Sequence, residues 1–423
     1  MKRRTDAPQD RYYMVGLMFF ILGLGTLLPW NFFMTASLYF QRRLETNESS
    51  NGTEVVRKEY YFNNWMTLLS QLPLLLFTLL NSFLYPRISE AIRIAGSLVF
   101  ILLLFILTAV LVKVPMEEDC FFSVTMATIW FINSFGAVLQ GSLFGLVGML
   151  PQKYSSIFMS GQGLAGTFAA IAMLIAIGSK TDHETAALGY FITPCVGTLL
   201  TLFSYLVLPR LVSQLSSQHN CITHNPSDLT YTNSPHISLY ADEPGSKASV
   251  IEVFKKIWVM AFCVTFVFTV TLSVFPAITV DVKTTSEGEN WESYFISVCC
   301  FLIFNINDWL GRTITTKIRW PSKESRLFPV LVISRVGFIP LLMFCNVQSR
   351  NYLPVLFEHD AAFSVIMVFF SLSSGYFVCL SMSYAPQLVE PKDAETAGAL
   401  MTFFLALGLS IGAALSFPLR KLI

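Results

Sequence analysis

The chain has 423 residues, of which 54% are hydrophobic, 14% aromatic and only 13% charged. Ordinary globular domains carry about 25% charged residues, so the composition excludes the two or three soluble domains that the length alone would suggest. The formal net charge of +1 leaves no excess of Lys or Arg for nucleic-acid phosphates. A mean hydropathy of +0.58 instead predicts an all-α polytopic membrane protein.

Eleven apolar stretches are long enough to cross a hydrocarbon core of roughly 30 Å, which takes about 20 helical residues. The first runs through Pro29-Trp30-Asn31 without a small-residue cleavage site, so we predict a membrane helix there and not a cleaved signal. The predicted spans cover residues 13–36, 64–85, 93–113, 121–149, 156–178, 187–208, 256–279, 293–316, 327–346, 361–384 and 395–418.

The basic residues predict how these spans are oriented. With the N-terminus in the cytosol, sixteen Lys and Arg lie on the inner side and ten on the outer side, as the positive-inside rule favours. Two adjacent Asn-x-Ser/Thr sequons, at Asn47 and Asn51, fall in the first loop, about residues 37–62, which this orientation places outside. We therefore expect a cytosolic N-terminus, an extracellular C-terminus and glycosylation at Asn47 and Asn51.

A hydrophilic stretch, residues 209–252, divides the spans six plus five. It is rich in Ser, Asn, His and Pro and has no apolar periodicity, so we predict a disordered cytosolic linker. On either side lie a six-helix bundle, residues 1–208, and a five-helix bundle, residues 253–423. This arrangement is typical of transporters built from two helical bundles.

The chain lacks the sequence marks of an enzyme or a driven pump. It has no P-loop for nucleotide hydrolysis and no compact Cys/His spacing for a metal, so we expect neither metal nor cofactor. No span carries two acids or a His, which a membrane hydrolase would need. We therefore predict that the protein is not an enzyme.

The first span has a polar interruption past its middle, where Pro29 precedes Trp30 and Asn31. Helix breaks of this kind are tolerated where a cavity is lined. Trp30 is thus a candidate for stacking on a flat ring. An aromatic residue in the membrane interface remains the alternative.

The fourth span carries polar residues along one helix face, with Asn133, Gly136, Gln140 and Phe144 spaced by three, four and four. The carboxamide of Gln140 could pair with the amide-like edge of a heterocycle. We therefore predict that Gln140 binds a substrate.

Glycines in the fourth and fifth spans indicate close helix packing. The run from Gly141 to Gly145 is a small-xxx-small motif, and the fifth span opens with Ser160-Gly161-Gln162-Gly163-Leu164-Ala165-Gly166. We predict tight helix contacts at Gly136, Gly161 and Gly166. The glycine-rich run is not a phosphate-binding loop, because no strand precedes it.

The eighth span contains a pair of opposite charges, Asp308 and Arg312, one helical turn apart. A charge at mid-span costs about 2.5 to 3.5 kcal/mol on insertion scales, so the pair should face the protein interior. Asn305 and Phe301 continue the same face. A carboxylate beside a guanidinium suits a neutral, hydroxyl-rich solute, although a purely structural ion pair between bundles stays open.

Four motifs, in the first, fourth, fifth and eighth spans, carry a resemblance to a known family. They are Leu27-Leu28-Pro29-Trp30-Asn31-Phe32-Phe33, Gln140-Gly141-Ser142-Leu143-Phe144-Gly145, the Ser160–Gly166 run, and Asp308-Trp309-Leu310-Gly311-Arg312. With most of the chain outside the first external loop and the linker, they resemble the equilibrative nucleoside transporters.

That resemblance implies an eleven-helix fold similar to the major facilitator superfamily. It also implies that the protein moves purine and pyrimidine nucleosides down their gradients by alternating access. It implies that Gln140 faces the base, and that Asp308 and Arg312 face the ribose. The substrate-site residues expected on this basis are Trp30, Gln140, Asp308, Arg312, Asn305, Leu74, Met34, Phe275 and Leu409.

Within the family the chain is most similar to the type 2 plasma-membrane branch, in motifs such as Phe62-Asn63-Asn64-Trp65 and Leu69-Ser70-Gln71-Leu72-Pro73. Met34 and Gly136 instead resemble the type 1 branch, in a region associated with inhibitors. The type 2 branch also accepts nucleobases, so both nucleosides and nucleobases are candidate substrates. A membrane receptor or scaffold that binds nucleosides without moving them is the alternative function.

Overall fold

A computed structural model describes residues 13–36, 40, 43–44, 62–84, 88–179, 183–223, 249–286, 289–348, 350 and 352–423. The predicted glycosylation sites Asn47 and Asn51 lie outside these ranges, as do residues 224–248 of the predicted linker. Helices dominate the described residues, where the only β-structure consists of isolated bridges between Val282 and Val347 and between Cys345 and Phe357. The predicted all-α class is confirmed.

The helices are numbered in chain order. In the first half they are α1 Met14–Thr35, α2 Phe62–Leu84, α3 Glu90–Lys113, α4 Glu118–Gly148, α5 Gln152–Gly178 and α6 His183–Thr223. In the second half they are α7 Val250–Val274, α8 Glu289–Phe295, α9 Ile303–Ile314, α10 Leu327–Ser334, α11 Phe338–Met343, α12 Asp360–Tyr384 and α13 Ala394–Leu422.

Eight helical stretches within the described residues are long and apolar enough to cross a membrane. Two shorter apolar stretches, Leu68–Phe83 and Leu327–Met343, match two more predicted spans. The one remaining predicted span, the eighth at residues 293–316, consists of α8 and α9 joined by a π-helical segment, Ile296–Leu302. The architecture is consistent with the eleven predicted crossings.

Helix α6 departs from the predicted domain boundary. It continues through Pro209 and ends at Thr223, so its last turns are helical where a linker was predicted from residue 209 onwards. Polar side chains do not prevent this, because a helix satisfies its backbone groups internally. The predicted start of the linker is therefore too early.

Each half of the chain packs mainly within itself. In the first half, α1 lies against α5 and α6, while α2 and α3 lie against α4; in the second, α7 contacts α12 and α13, and α9 contacts α12. Two seams join the halves. In the α5–α9 seam those two helices pack together, and in the α13 seam α13 packs against α2 and α4.

Glycines make the α1–α5 crossing unusually close. A Cβ atom at Gly161 would collide with the backbone oxygen of Phe20, and one at Gly23 would collide with the backbone oxygen of Phe158. The two glycines therefore form a reciprocal contact in which each helix accepts the backbone of the other. This crossing places the fifth helix, which carries Gln162, directly beside the first.

Candidate functional site

The predicted ion pair is buried in the protein interior. Asp308 and Arg312 are 8% and 7% exposed, and Arg312 Nε donates a hydrogen bond to Asp308 Oδ2 at 2.7 Å. They lie one turn apart on α9. Because an unpaired charge is costly in an apolar environment, their pairing away from the lipid is what this position demands.

A chain of hydrogen bonds continues from this pair across the α5–α9 seam. Arg312 Nη1 donates to Gln162 Oε1 at 3.4 Å, and Gln162 Nε2 donates to Thr26 Oγ1 at 3.0 Å. Thr26 Oγ1 in turn donates to the backbone oxygen of Gly23 at 2.7 Å. One polar chain thus joins α9, α5 and α1, and so joins the two halves of the protein.

Small residues on α5 allow this approach. A Cβ atom at Gly163 would lie 2.8 Å from Trp309 Cα, and one at Gly166 would collide with Asn305 Oδ1 and lie 3.4 Å from Asn31 Oδ1. The amides of Asn31 and Asn305 therefore meet at Gly166. Tight contacts occur at both Gly161 and Gly166, as the sequence predicts.

Hydroxyl groups extend the seam toward the end of α9. Trp309 Nε1 donates to Ser160 Oγ at 3.2 Å, and the hydroxyl oxygens of Ser160 and Thr313 lie 2.8 Å apart. Ser160 belongs to the first half and the other two residues to the second. The α5–α9 seam is thus polar along much of its length, which favours reversible contact over permanent burial.

Phe275 lies beside the first turn of α9, at the opposite end from Thr313. Its ring stacks on Phe304 with centroids 3.8 Å apart and meets Phe301 edge-on at 5.9 Å. Phe304 immediately precedes Asn305 in the chain. Phe275 therefore contributes an aromatic surface next to the polar face of α9.

The other predicted site residues come from other helices. Trp30 and Met34 are half-buried and pack against the main hydrophobic core, and Gln140 is 6% exposed. Among the described residues, no hydrogen bond joins them to Asp308 or Arg312. Gln140, Leu74 and Leu409 lie on the three helices of the α13 seam. The predicted site residues other than Phe275 thus lie on α1 and on helices of both seams.

Gly136 does not have the predicted packing role. Among the residues that the structure describes, a Cβ atom there would meet no atom within 4 Å, whereas one at Gly141 would lie 2.7 Å from Asn81 Nδ2. The prediction was wrong for Gly136 because spacing along a helix does not say which glycine faces a neighbouring helix.

The hydrogen bonds between the halves concentrate at one end of the molecule. There, Arg93 Nη2 lies 3.3 Å from Glu395 Oε1. Gln152 Nε2 donates to Ser383 Oγ at 3.3 Å, and Arg319 Nη1 donates to Gln152 Oε1 at 3.3 Å. We call this the closed end; it is where α2, α4, α9 and α12 finish and α3, α5 and α13 begin.

Comparisons with known proteins identify the family to which the chain belongs. The sequence model of the nucleoside transporter family matches residues 126–421. Equilibrative nucleoside transporter 2 of Homo sapiens is 52% identical, over 99% of this chain and 100% of its own length. Equilibrative nucleoside transporter 1 of Homo sapiens is 47% identical, over 99% of each chain. These identities confirm the predicted similarity to the type 2 branch. Both relatives are named as transporters, in agreement with the prediction that the chain is not an enzyme.

The fold is shared more widely than the sequence. The crystal structure of the human organic anion transporter MFSD10 aligns with a TM-score of 0.53 at 12% identity, over 98% of this chain and 95% of that chain. At that identity the match concerns the fold alone, and it confirms the predicted similarity to major facilitator transporters. Family match, whole-chain identity and helical architecture together show that this chain belongs to the equilibrative nucleoside transporter family.

Proposed function

We propose that the protein carries purine and pyrimidine nucleosides across the plasma membrane, in either direction and down their gradients, without coupling to Na⁺, protons or ATP. The observation that carries this proposal is the Asp308–Arg312 pair. A carboxylate already bound to a guanidinium at 2.7 Å is not free to bind a driving cation. It keeps acceptor capacity, and Arg312 keeps donors, for the hydroxyls of a neutral sugar.

The names of the type 1 and type 2 relatives supply the substrate class. In our proposal Asp308 and Arg312 bind the ribose, Gln140 binds the base, and Trp30 offers a surface on which the base stacks. Met34, Leu74, Phe275, Asn305 and Leu409 complete the lining. Nucleobases, which lack the ribose, would then lose the contacts to Asp308 and Arg312 and bind more weakly.

The two seams support a mechanism of alternating access. With the N-terminus in the cytosol, as we propose, the closed end is the cytosolic one. Inward opening then requires separation of the contacts Arg93–Glu395, Gln152–Ser383 and Arg319–Gln152. These contacts are single hydrogen bonds or ion pairs, each with a modest net free energy of about 0.5 to 3 kcal/mol, so their exchange is feasible in a transport cycle.

The test is uptake of radiolabelled uridine and hypoxanthine into cells that lack endogenous carriers, with and without Na⁺ and at two external pH values. We expect saturable uridine uptake that persists without Na⁺ and is inhibited by excess adenosine. Loss of uptake on Na⁺ replacement would overturn the uncoupled mechanism. Binding without uptake by protein at the cell surface would instead favour a receptor or scaffold.

Substitutions at the ion pair test the site itself. We expect Asp308→Ala and Arg312→Ala each to abolish uptake, because each leaves the other charge buried without its partner. Surface biotinylation should show that each variant reaches the membrane. Normal transport by either variant at equal surface level would mean that the ion pair is structural and that the substrate binds elsewhere.

A further inference from the structure

A strongly basic loop connects α9 to α10 at the closed end of the molecule. We call residues 317–326 the basic loop, because they hold one acid, Glu324, and four cations: Lys317, Arg319, Lys323 and Arg326. All of these cations except Lys323 are exposed. Within the described residues, none of the four forms an ion pair. The basic loop therefore presents a net positive charge that no described carboxylate neutralises.

Two tyrosines of α12 fix the backbone of the basic loop. The backbone nitrogen of Trp320 donates to Tyr376 Oη at 3.1 Å, and Tyr376 Oη donates to the backbone oxygen of Trp320 at 2.6 Å. Tyr384 Oη donates to the backbone oxygen of Pro321 at 2.9 Å. A surface that is already ordered loses little conformational entropy when it binds a partner. The cations of the basic loop are thus carried on a preorganised backbone.

The basic loop also exposes apolar side chains beside its charges. Ile318 is 58% exposed and Trp320 is 60% exposed, and Leu327, the first residue of α10, is 41% exposed. The apolar stretch Leu327–Met343, one of the predicted spans, follows directly. Tryptophan is enriched where the hydrocarbon core meets the headgroups, and clustered Lys and Arg at that level attract anionic lipids. The basic loop has both features of a surface that lies against anionic phospholipid.

One cation of the basic loop contacts the other half of the protein. Arg319 Nη1 donates to Gln152 Oε1 at 3.3 Å, and Arg319 Nε donates to the backbone oxygen of Thr315 at 3.3 Å. Both acceptors are neutral. A hydrogen bond from a guanidinium to a charged phosphate is roughly twice as strong as one between neutral groups. A lipid phosphate can therefore take Arg319 away from Gln152 and remove one contact that holds the closed end together.

We propose that the basic loop binds the headgroups of anionic phospholipids, and that this binding withdraws Arg319 from Gln152 and so accelerates transport. The effect on transport rests on the proposed function, whereas the lipid binding does not. In the proposed orientation the basic loop is cytosolic, and anionic lipids are concentrated in the cytosolic leaflet. Free phosphate would supply the charge alone. A phospholipid also supplies an apolar surface for Ile318 and Trp320, which favours the lipid.

The first experiment measures lipid binding without transport. Thermal unfolding of the full-length protein in an uncharged detergent is followed with dioctanoyl phosphatidylserine, with dioctanoyl phosphatidylcholine or with inorganic phosphate. A ligand that binds only the folded state stabilises it, so we expect phosphatidylserine alone to raise the unfolding temperature, by about 2 °C or more. No shift with phosphatidylserine, or an equal shift with phosphatidylcholine or inorganic phosphate, would overturn the proposal.

Two matched double variants locate the binding surface. Lys317→Gln/Arg326→Gln removes two exposed cations that make no side-chain hydrogen bond or ion pair within the described residues, so the fold should persist. Lys283→Gln/Lys421→Gln removes two exposed cations from the opposite end of the molecule. We expect the phosphatidylserine shift to be lost in the first variant and kept in the second. Equal shifts in the two variants would overturn the assignment to the basic loop.

The second experiment measures uridine uptake into proteoliposomes of phosphatidylcholine alone or with about 20% phosphatidylserine. We expect uptake to be at least about twofold faster with phosphatidylserine, and the gain to be lost in Lys317→Gln/Arg326→Gln. Gln152→Ala already lacks the contact to Arg319, so its uptake should not depend on the lipid. A gain that persists in Gln152→Ala would overturn the step through Arg319. Absence of uptake in both lipids would contradict the proposed function, while the unfolding shifts would still decide whether the basic loop binds lipid.

Discussion

Gln162 is the side chain through which the charged pair of one half contacts the other half. It is 2% exposed, accepts from Arg312 and donates to Thr26. Its carboxamide thus fixes both the guanidinium and the distance between α5 and α9. Any opening of this seam must break or exchange the bond to Arg312.

Replacing Gln162 by Leu should therefore impair transport strongly. A hydrogen bond to a charged group contributes about 1.5 to 3 kcal/mol, so we expect uridine uptake to fall by about tenfold or more at equal surface expression. The matched control is Asn307→Ala, because within the described part of the chain Asn307 Nδ2 donates only to the backbone oxygen of Ile303 in its own helix, at 2.8 Å. Similar losses in both variants would show that Gln162 has no special part in coupling the halves.

The sequence allows half of this site to be predicted. Asp308 and Arg312 are four residues apart, so the helical period alone brings them together. Gln162 lies 150 residues from Arg312, and nothing local joins them. A polar residue flanked by glycines can approach another helix closely, but the glycines themselves indicate only close packing and not which side chain is contacted. The buried Arg335, in the 3₁₀ turn Arg335–Gly337, is hidden for the same reason, because its hydrogen-bond acceptors lie on α7 and α12.

At the scale of helices, the glycines of the closely packed crossings differ from those that face open space. Gly161 lies against the backbone of α1, and a Cβ atom there has no flexible neighbour to displace. Gly136 has room for a Cβ atom. The two positions therefore form a natural pair for substitution by alanine.

Gly161→Ala should lower the thermal stability of the solubilised protein and reduce its amount in the membrane. Overpacking of a tight contact costs about 1 to 3 kcal/mol, whereas alanine gains about 1 kcal/mol of helix propensity over glycine at an open position. Gly136→Ala should consequently be neutral or stabilising. A larger loss of stability at Gly136 than at Gly161 would contradict the packing described for α1 and α5.

Element boundaries show what composition can and cannot predict. Long apolar stretches such as α3 and α7 follow directly from hydropathy. The π-helical segment Ile296–Leu302 and the 3₁₀ turn at Arg335 depend on packing between helices, which leaves no periodic signal. The extension of α6 to Thr223 was missed because polar composition was equated with a linker, although backbone hydrogen bonds do not depend on side-chain polarity.

At the scale of the molecule, alternating access requires the two halves to move apart at the α5–α9 seam, and a covalent cross-link there should prevent this movement. Ser160 and Thr313 belong to different halves, and their hydroxyl oxygens are 2.8 Å apart. The double variant Ser160→Cys/Thr313→Cys should therefore form a disulfide on mild oxidation, since sulfurs that replace these oxygens would need to approach only to a bond length of about 2.05 Å. We expect oxidation to block uridine uptake and a reductant to restore it. Full uptake by the cross-linked protein would contradict alternating access at this seam, and each single variant is its control.

The predicted orientation can be tested with native cysteines. Cys120 is exposed in the first turn of α4, while Cys345 after α11 is fully buried. With an extracellular C-terminus both lie at the outer face, so a membrane-impermeant maleimide should label intact cells at Cys120 alone. Labelling should disappear in Cys120→Ser, and Cys345 should react only after denaturation. Reaction of Cys120 only in permeabilised cells would reverse the orientation.

The overall two-half architecture was predictable, because six and five apolar stretches flank one hydrophilic region. Which helices meet across the halves was not, since α9 pairs with α5 and α13 with α2 and α4 through contacts distant in sequence. For the same reason the position of Gln140 relative to Asp308 does not follow from the sequence. The family resemblance implied that they share one site; the residues themselves placed them only on separate helix faces.

The reciprocal glycine contact between α1 and α5 has a consequence for how the protein can evolve. A clash between two side chains can be relieved by shortening the partner, so a second substitution can rescue the first. At Gly23 and Gly161 the opposing atom is a main-chain oxygen, which no substitution removes. In a saturation screen of paired variants, larger residues at these two positions should therefore lack local suppressors, and revertants should arise mainly by return to glycine.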